Sequence, residues 1–248
     1  MATNTKHFQA YPNPRFGLQL ALLVLAALAA LALLFMIAKP LKVMPRLAVA
    51  PPYTLTDQNG HPVADTDLHG KVVLYDFVYT HCTTVCPAMT GQMLQVQKRL
   101  EEAGLLGSDV VLVTITFDPE RDTPERLRQY AQQMYASPEG WFWLTGDPIT
   151  IRRLVGGQFG VYFEKIASDQ DNGGAVSHQH GSQPGGYDFV HATVFILVDG
   201  DGVIRSEYRQ MLDVDRAMQD IRLVVREQNA GVLVQPLWEA AHLVRAYP

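Results

Sequence analysis

From Phe16 to Ala38 the chain reads FGLQLALLVLAALAALALLFMIA, 23 residues without a charge and with Gln19 as the one polar side chain. An α-helix rises about 1.5 Å per residue and a bilayer's hydrocarbon core is about 30 Å thick, so roughly 20 apolar residues suffice to cross it. The apolar region of a cleaved signal peptide is usually only about 7–15 residues long. The run over 16–38 therefore predicts an uncleaved transmembrane anchor. Lys6 and Arg15 precede it while Lys39, Lys42 and Arg46 follow, and this balance of positive charge does not fix the orientation. Residues 39–52 carry Pro40, Pro45, Pro51 and Pro52, which cannot sustain a helix and read as a semi-rigid linker to a soluble domain.

Within that domain, Tyr53 to Gly70 alternates like a strand and is broken by Asn59-Gly60, a strong hairpin signal. The run KVVLYDFVY, Lys71 to Tyr79, has the β-branched and aromatic density of a strand buried on both faces. A helix is expected from Val85 to Glu102, then a strand over Asp109 to Phe117. Next comes a helix to about Tyr135, capped by Thr123 or Asp122 with Pro124 in its first turn. A short WFWL strand and a short helix from Asp147-Pro148 precede a hairpin of Ala192–Asp199 and Val203–Tyr208 about Gly200-Asp201-Gly202, and a helix over Asp213–Gln228 closes the domain. Strands alternating with helices, then a terminal hairpin and helix, imply an α/β domain over 53–228 with a central mixed sheet flanked by helices, the order of a thioredoxin-like fold. Residues 167–188, rich in Gly, Ser, Gln and Asp, read as a flexible insert. The 229–248 extension places Leu237, Ala241 and Val244 at helical spacing, as in a short amphipathic helix that packs on the domain, a partner or the membrane.

A formal charge of −5, from 20 basic and 25 acidic residues, offers no broad basic surface, so nucleic acid is not an expected partner. Cys82 and Cys86 are the two cysteines of the chain, which excludes a disulfide-stapled mini-domain and a four-cysteine zinc or iron–sulfur site within one copy. They lie in YTHCTTVCP, where a buried strand gives way to a helix. A helix amino-terminus presents unpaired N–H groups and the positive end of the macrodipole, so a cysteine there is biased towards thiolate. Four residues apart on a first helical turn, the two sulfurs face one side, within reach of one ion or of each other. Thioredoxin-type redox motifs have two intervening residues; the three found here shift the reading towards metal. Two thiolates suit Cu(I), and one added imidazole accommodates Cu(II). Among eight histidines, His191 is the best third ligand, because FVHATVFILVD sets it just before a core strand expected beside the cysteine-bearing one.

The anchor, the TLTDQNG hairpin, FVYTHCTTVCP, TFDPERDTPE (Thr116 to Glu125) and DFVHATVFILVDGDG together resemble the Sco/SenC family of copper chaperones over roughly Tyr53 to Gln228. The resemblance implies a thioredoxin fold with copper held by Cys82, Cys86 and His191, and a role in assembling the binuclear copper centre of cytochrome c oxidase. Implied partners are the oxidase's copper-binding subunit and other copper chaperones. It also implies a single-pass protein of the bacterial inner membrane with its domain in the periplasm, leaving 1–15 as a short cytoplasmic tail. Residues 83–85 are Thr-Thr-Val, lacking the proline often found after the first cysteine, and the insert is longer than expected for the family.

Other readings stand beside this one. Cys82 and Cys86 cycling between dithiol and disulfide would make the chain a thiol–disulfide oxidoreductase that keeps the oxidase's copper-ligating cysteines reduced, and the two roles are linked because a disulfide cannot bind copper in that mode. A peroxidase-like thiol enzyme would not need His191. His178 and His180 in the insert are either accessory ligands or solvated loop residues. Met89 and Met93 continue the cysteine stripe but read as core. His81 is an alternative ligand or a tuner of the thiolates, and Asp118 and Asp122 either orient the site, form a partner surface or cap a helix. Asp199-Gly-Asp-Gly lacks the glutamate a calcium loop requires and reads as a turn.

Overall fold

The computed structural model describes residues 14–38, 43–167 and 187–230, together with Pro236, Trp238, Glu239 and His242. Helix α1 (Pro14–Ala38) is 25 residues long. Its side chains are described over 17–30 and at Leu33, all exposed, and among the described residues no helix is long and apolar enough to cross a membrane.

The domain is built on a six-stranded sheet. In chain order its strands are β1 (Ala48–Val49), β4 (Val72–Val78), β5 (Val110–Thr116), β6 (Trp141–Leu144), β9 (Phe195–Val198) and β10 (Val203–Tyr208), arranged β1-β10-β9-β4-β5-β6. β4, β5 and β6 are parallel, β9 runs antiparallel to β4, and β10 and β1 continue antiparallel. Every residue of β4 and of β5 is buried. Successive strand side chains point to opposite faces, so unbroken burial means that both faces of the sheet centre are covered. Each large aliphatic or aromatic side chain hidden there contributes about 1.5–3 kcal/mol.

Helix α2 (Val85–Glu102) connects β4 to β5 and packs beside α5 (Val214–Gln228), while α3 (Pro124–Gln133) leads to β6 and packs against it. Thr123 caps α3, its hydroxyl accepting from the Arg126 N–H at 3.3 Å, with Pro124 at the first position. Asp147 caps α4 (Pro148–Ile151), which continues as a π-helical stretch over Arg152–Gln158. The opening hairpin is β2 (Thr54–Thr56) and β3 (Pro62–Ala64). In its turn Gly60 takes φ +84°, a conformation that glycine alone adopts without strain, and the Asp57 carboxylate accepts from the N–H groups of Asn59 and His61 at 2.8 Å. This mixed sheet with covering helices is the expected thioredoxin-like plan.

Two features differ from the sequence reading. Residues 167, 187 and 188 belong to strands, not to a flexible insert: β7 (Phe163–Ala167) and β8 (Tyr187–His191) form a separate antiparallel pair, in register from Phe163↔His191 to Ala167↔Tyr187. Polar composition hid these strands because their pairing, rather than an apolar run, defines them; His178 and His180 lie outside the described residues. Second, the proline-rich stretch joins the domain well before residue 52. Val43 and Met44 are buried, and Arg205, only 2% exposed, donates to the carbonyls of Met44 (2.7 Å) and Pro45 (3.1 Å) and to the carboxylates of Asp199 (2.9 Å) and Glu227 (2.8 Å). His242 meets the same cluster, with Nε2 at 3.2 Å from Glu227, and Glu239 pairs with Arg46 at 3.0 Å. The described part of the C-terminal extension thus lies on the domain; Leu237, Ala241 and Val244 are outside the description.

Candidate metal centre

Sheet register brings the site together. β9 starts at Phe195, opposite Asp76 of β4. The strands are antiparallel, so the chain entering β9 and the chain leaving β4 emerge at the same end of the sheet. One carries His191 and the other Cys82.

Cys82 lies in the loop after β4, its N–H donating to the Tyr79 carbonyl at 3.3 Å. The residue at the start of α2, Thr84, makes no side-chain cap; the Cys82 sulfur takes that place, accepting from the Cys86 N–H at 3.3 Å. Cys86 sits in the first helical turn with its Sγ 3.6 Å from His191 Nε2. The two sulfurs and a ring nitrogen of His191 all lie within 4.8 Å of one another. Both cysteines are unbridged; Cys82 is 5% exposed and Cys86 is fully buried.

Their surroundings divide the pair. A hydrogen bond from the Cys86 thiol, helped by His191 and by the N–H groups of Cys86 and Thr84, holds the Cys82 thiol far below its ordinary range. Burial, reinforced by the charge on Cys82, pushes Cys86 up. One thiolate and one thiol share the pocket, and a cation binding both sulfurs must displace the Cys86 proton. His191 Nδ1 is 3.2 Å from the Ala192 carbonyl. A carbonyl can only accept, so this bond places a proton on Nδ1 and makes Nε2 the nitrogen that faces the sulfurs, able to donate to the Cys82 thiolate when protonated and to ligate a metal when not.

The loop is held from behind by Asp122. Fully buried, its carboxylate accepts from the Thr80 N–H at 2.9 Å and from the hydroxyls of Thr80 and Thr116 at 2.6 Å, tying the residue two before Cys82 to the end of β5. Asp118 accepts from Arg121 and from the Tyr187 hydroxyl at 2.7 Å. His81 stands near these two carboxylates, with Nδ1 3.8 Å from Asp122, and its pKa is lowered, first by burial and then by Arg121. His81, Asp118 and Asp122 approach one another closely enough to hold an ion, but both acids are already engaged by hydroxyls, an amide and a guanidinium in bracing the loops. This is a structural cluster. Met89 and Met93 are fully buried members of the core. Tyr79, Thr80, Arg121, Tyr187 and Asp188 surround the site, and sequence reasoning missed them all because no spacing or residue type announces a packing partner.

Two sulfurs and an imidazole thus converge at one end of a mixed sheet. A family model described as SCO1/SenC matches residues 43–226. A SCO1 protein homolog of Bacillus subtilis is 31% identical over 158 residues, 63% of this chain and 72% of that protein. Further relatives are matched over 38–60% of their own length. Among solved structures, Bradyrhizobium japonicum ScoI with copper bound is 30% identical, with TM-score 0.57 over 71% of this chain and 99% of that one. BsSco, described through its disulfide switch as a member of the Sco family of cytochrome c oxidase assembly proteins, is 28% identical, with TM-score 0.57 over 75% of this chain and 97% of that one. Sequence and fold agree: the chain belongs to the SCO1/SenC family.

Proposed function

We propose that this protein is a membrane-anchored copper chaperone that binds one copper ion through Cys82, Cys86 and His191 and supports assembly of the binuclear copper centre of cytochrome c oxidase. The observation that carries the reading is the convergence of three donors, two sulfurs and an imidazole nitrogen, within 4.8 Å. Soft sulfurs select Cu(I), and the imidazole extends the site to Cu(II). The copper-bound ScoI relative supports the choice of metal. On this reading residues 16–38 cross the bacterial inner membrane and the domain works in the periplasm, beside the oxidase's copper-binding subunit and the chaperones that supply copper.

The unequal cysteines favour a second, linked role. A stabilised Cys82 thiolate beside a protonated Cys86 is the starting state for attack on a disulfide, so the pair is suited to thiol–disulfide exchange with the oxidase's own cysteines. Copper titration of the reduced and oxidised domain, residues 43–248, tests the main reading. The reduced form is expected to bind one equivalent and the oxidised form almost none, with Cys82→Ser abolishing binding. Equal tight binding by both forms overturns the chaperone reading. Reduction of a disulfide substrate by the Cys82–Cys86 dithiol, which itself becomes the disulfide, without copper and indifferent to His191→Ala, supports the exchange role in its place.

A further inference from the structure

The hairpin that ends in His191 does not belong to the central sheet: β7 and β8 pair with each other, apart from the six strands that carry the cysteine loop. Main-chain hydrogen bonding of the sheet brings His191 and the cysteine loop to the same end of the sheet, through Phe195 opposite Asp76, but the hairpin itself is not hydrogen-bonded to β4. Side chains must complete the fit. Tyr187, at the start of β8, reaches Asp118, and its carbonyl accepts from Arg121 at 3.0 Å, which ties the hairpin to the loop after β5. Phe117, Phe163 and Phe189 pack beneath it with centroids 5.1–6.2 Å apart, Phe117 stacked on Phe163 and edge-on to Phe189, but ring contacts carry less direction than a hydrogen bond.

A directional tie to the cysteine-bearing segment comes from elsewhere. The hydroxyl of Tyr79, three residues before Cys82, donates to Asp188 Oδ1, three residues before His191. The same oxygen accepts from the Phe189 N–H at 2.8 Å, which fixes the carboxylate on its own strand. Tyr79 is 1% exposed and also holds the cysteine loop through its carbonyl. Its ring stands edge-on to His191 at 5.8 Å and packs on Phe117 at 5.2 Å.

We propose that Tyr79 and Asp188 are a positioning pair that locks the His191 hairpin onto the cysteine loop and thereby sets whether copper is held by two sulfurs or by two sulfurs and an imidazole. The proposal rests on the copper reading given above. Cu(I) is satisfied by two thiolates in near-linear geometry, whereas Cu(II) calls on the nitrogen donor, so loosening the pair acts selectively on Cu(II). Partners that orient metal-binding groups from behind typically alter affinity roughly 10–100-fold when removed.

The test compares wild-type protein, Tyr79→Phe, Asp188→Ala, Asp188→Asn, the double variant Tyr79→Phe/Asp188→Ala and His191→Ala. Tyr79→Phe keeps the ring and removes the hydroxyl, and Asp188→Asn keeps an oxygen acceptor. In the metal-free reduced protein, the His191 ring resonances are expected to shift or broaden in Tyr79→Phe and Asp188→Ala and to hold their wild-type positions in Asp188→Asn. With copper, the first two variants are expected to lose about 10–100-fold in Cu(II) affinity together with nitrogen hyperfine coupling, with a much smaller change for Cu(I) and no further loss in the double variant. Unchanged His191 resonances in Tyr79→Phe overturn the proposal. So does an equal loss of Cu(I) and Cu(II) affinity that follows a lowered melting temperature, since that marks a purely structural contact. If His191→Ala binds Cu(II) like wild type, the assigned ligand set fails, while the metal-free resonances still decide whether the pair positions the ring.

Discussion

The backbone N–H of Cys86 points at the sulfur of Cys82 from 3.3 Å, so the first free donor of α2 is spent on a thiolate rather than on water. Behind the larger effects of the Cys86 thiol's own hydrogen bond to that sulfur and of the burial of Cys86, that contact helps make the two cysteines chemically unlike although they are four residues apart. It predicts that the ultraviolet absorbance of one thiolate persists well below the pH at which free cysteine is protonated, near 8.5. The signal should vanish in Cys82→Ser and survive in Cys86→Ser, whose hydroxyl still donates. A single titration near the free-cysteine value in wild type would contradict the assignment.

His191→Ala is expected to weaken Cu(II) binding more than Cu(I), because the sulfurs alone satisfy Cu(I). Competition titrations with chelators for each oxidation state measure both. A Cu(II) spectrum identical to wild type would remove His191 from the ligand set and bring His81 or His178 and His180 forward.

Asp122 joins the ends of β4 and β5 behind the site. Asp122→Ala strands the Thr80 N–H and two buried hydroxyls, and should lower stability by about 3 kcal/mol while also weakening copper. Asp122→Asn, which keeps one acceptor oxygen, should do less harm. Chemical unfolding of the metal-free domain separates the stability effect from the metal effect.

Asp76 makes a pH prediction independent of copper. It is fully buried on β4, with Oδ1 accepting from Thr114 at 2.5 Å and Oδ2 without a hydrogen-bond partner among the described residues, and burial pushes its pKa from 3.8 to about 7. Between those values the folded protein holds a proton that the unfolded chain has lost. Stability attributable to this group therefore falls as pH rises from about 4 to about 7, by at most about 1.4 kcal/mol per pH unit, and is level above. Urea unfolding at pH 5 and pH 8 should show the fall, and Asp76→Asn, neutral throughout, should flatten it. An equal slope in that variant would assign the pH dependence to other groups.

Deleting residues 171–185 should leave the first copper equivalent intact. Ala167 and Tyr187 are paired across the hairpin, so a shorter connection can join the same two strand ends at a small change in loop entropy. Loss of a second equivalent would identify His178 and His180 as accessory ligands; loss of the first would show that the insert helps build the main site.

Much of this protein is written locally. The β-branched and aromatic runs of β4 and β5, the Asn59-Gly60 turn, Pro124 behind Thr123 and the cysteine pair at a strand-to-helix junction are each properties of a few adjacent residues, and periodicity and turn chemistry are sufficient to read them. The choice of His191 also followed from order along the chain, since a histidine just ahead of a core strand emerges where the neighbouring antiparallel strand ends. What the chain order left open was decided by tertiary packing. Asp188 lay within a segment too polar to read as a strand, yet it meets Tyr79 across 109 residues, and His191 meets Cys86 across 105. Which cysteine carries the charge depends on a helix N–H and a neighbouring thiol, and Asp122 became a brace for the cysteine loop because the fold brings Thr80 and Thr116 to its carboxylate. Such pairings have no period and no motif. They are set by the directionality of hydrogen bonds among groups that burial has cut off from water, and burial exists only once the sheet, the helices and the hairpin have closed around them.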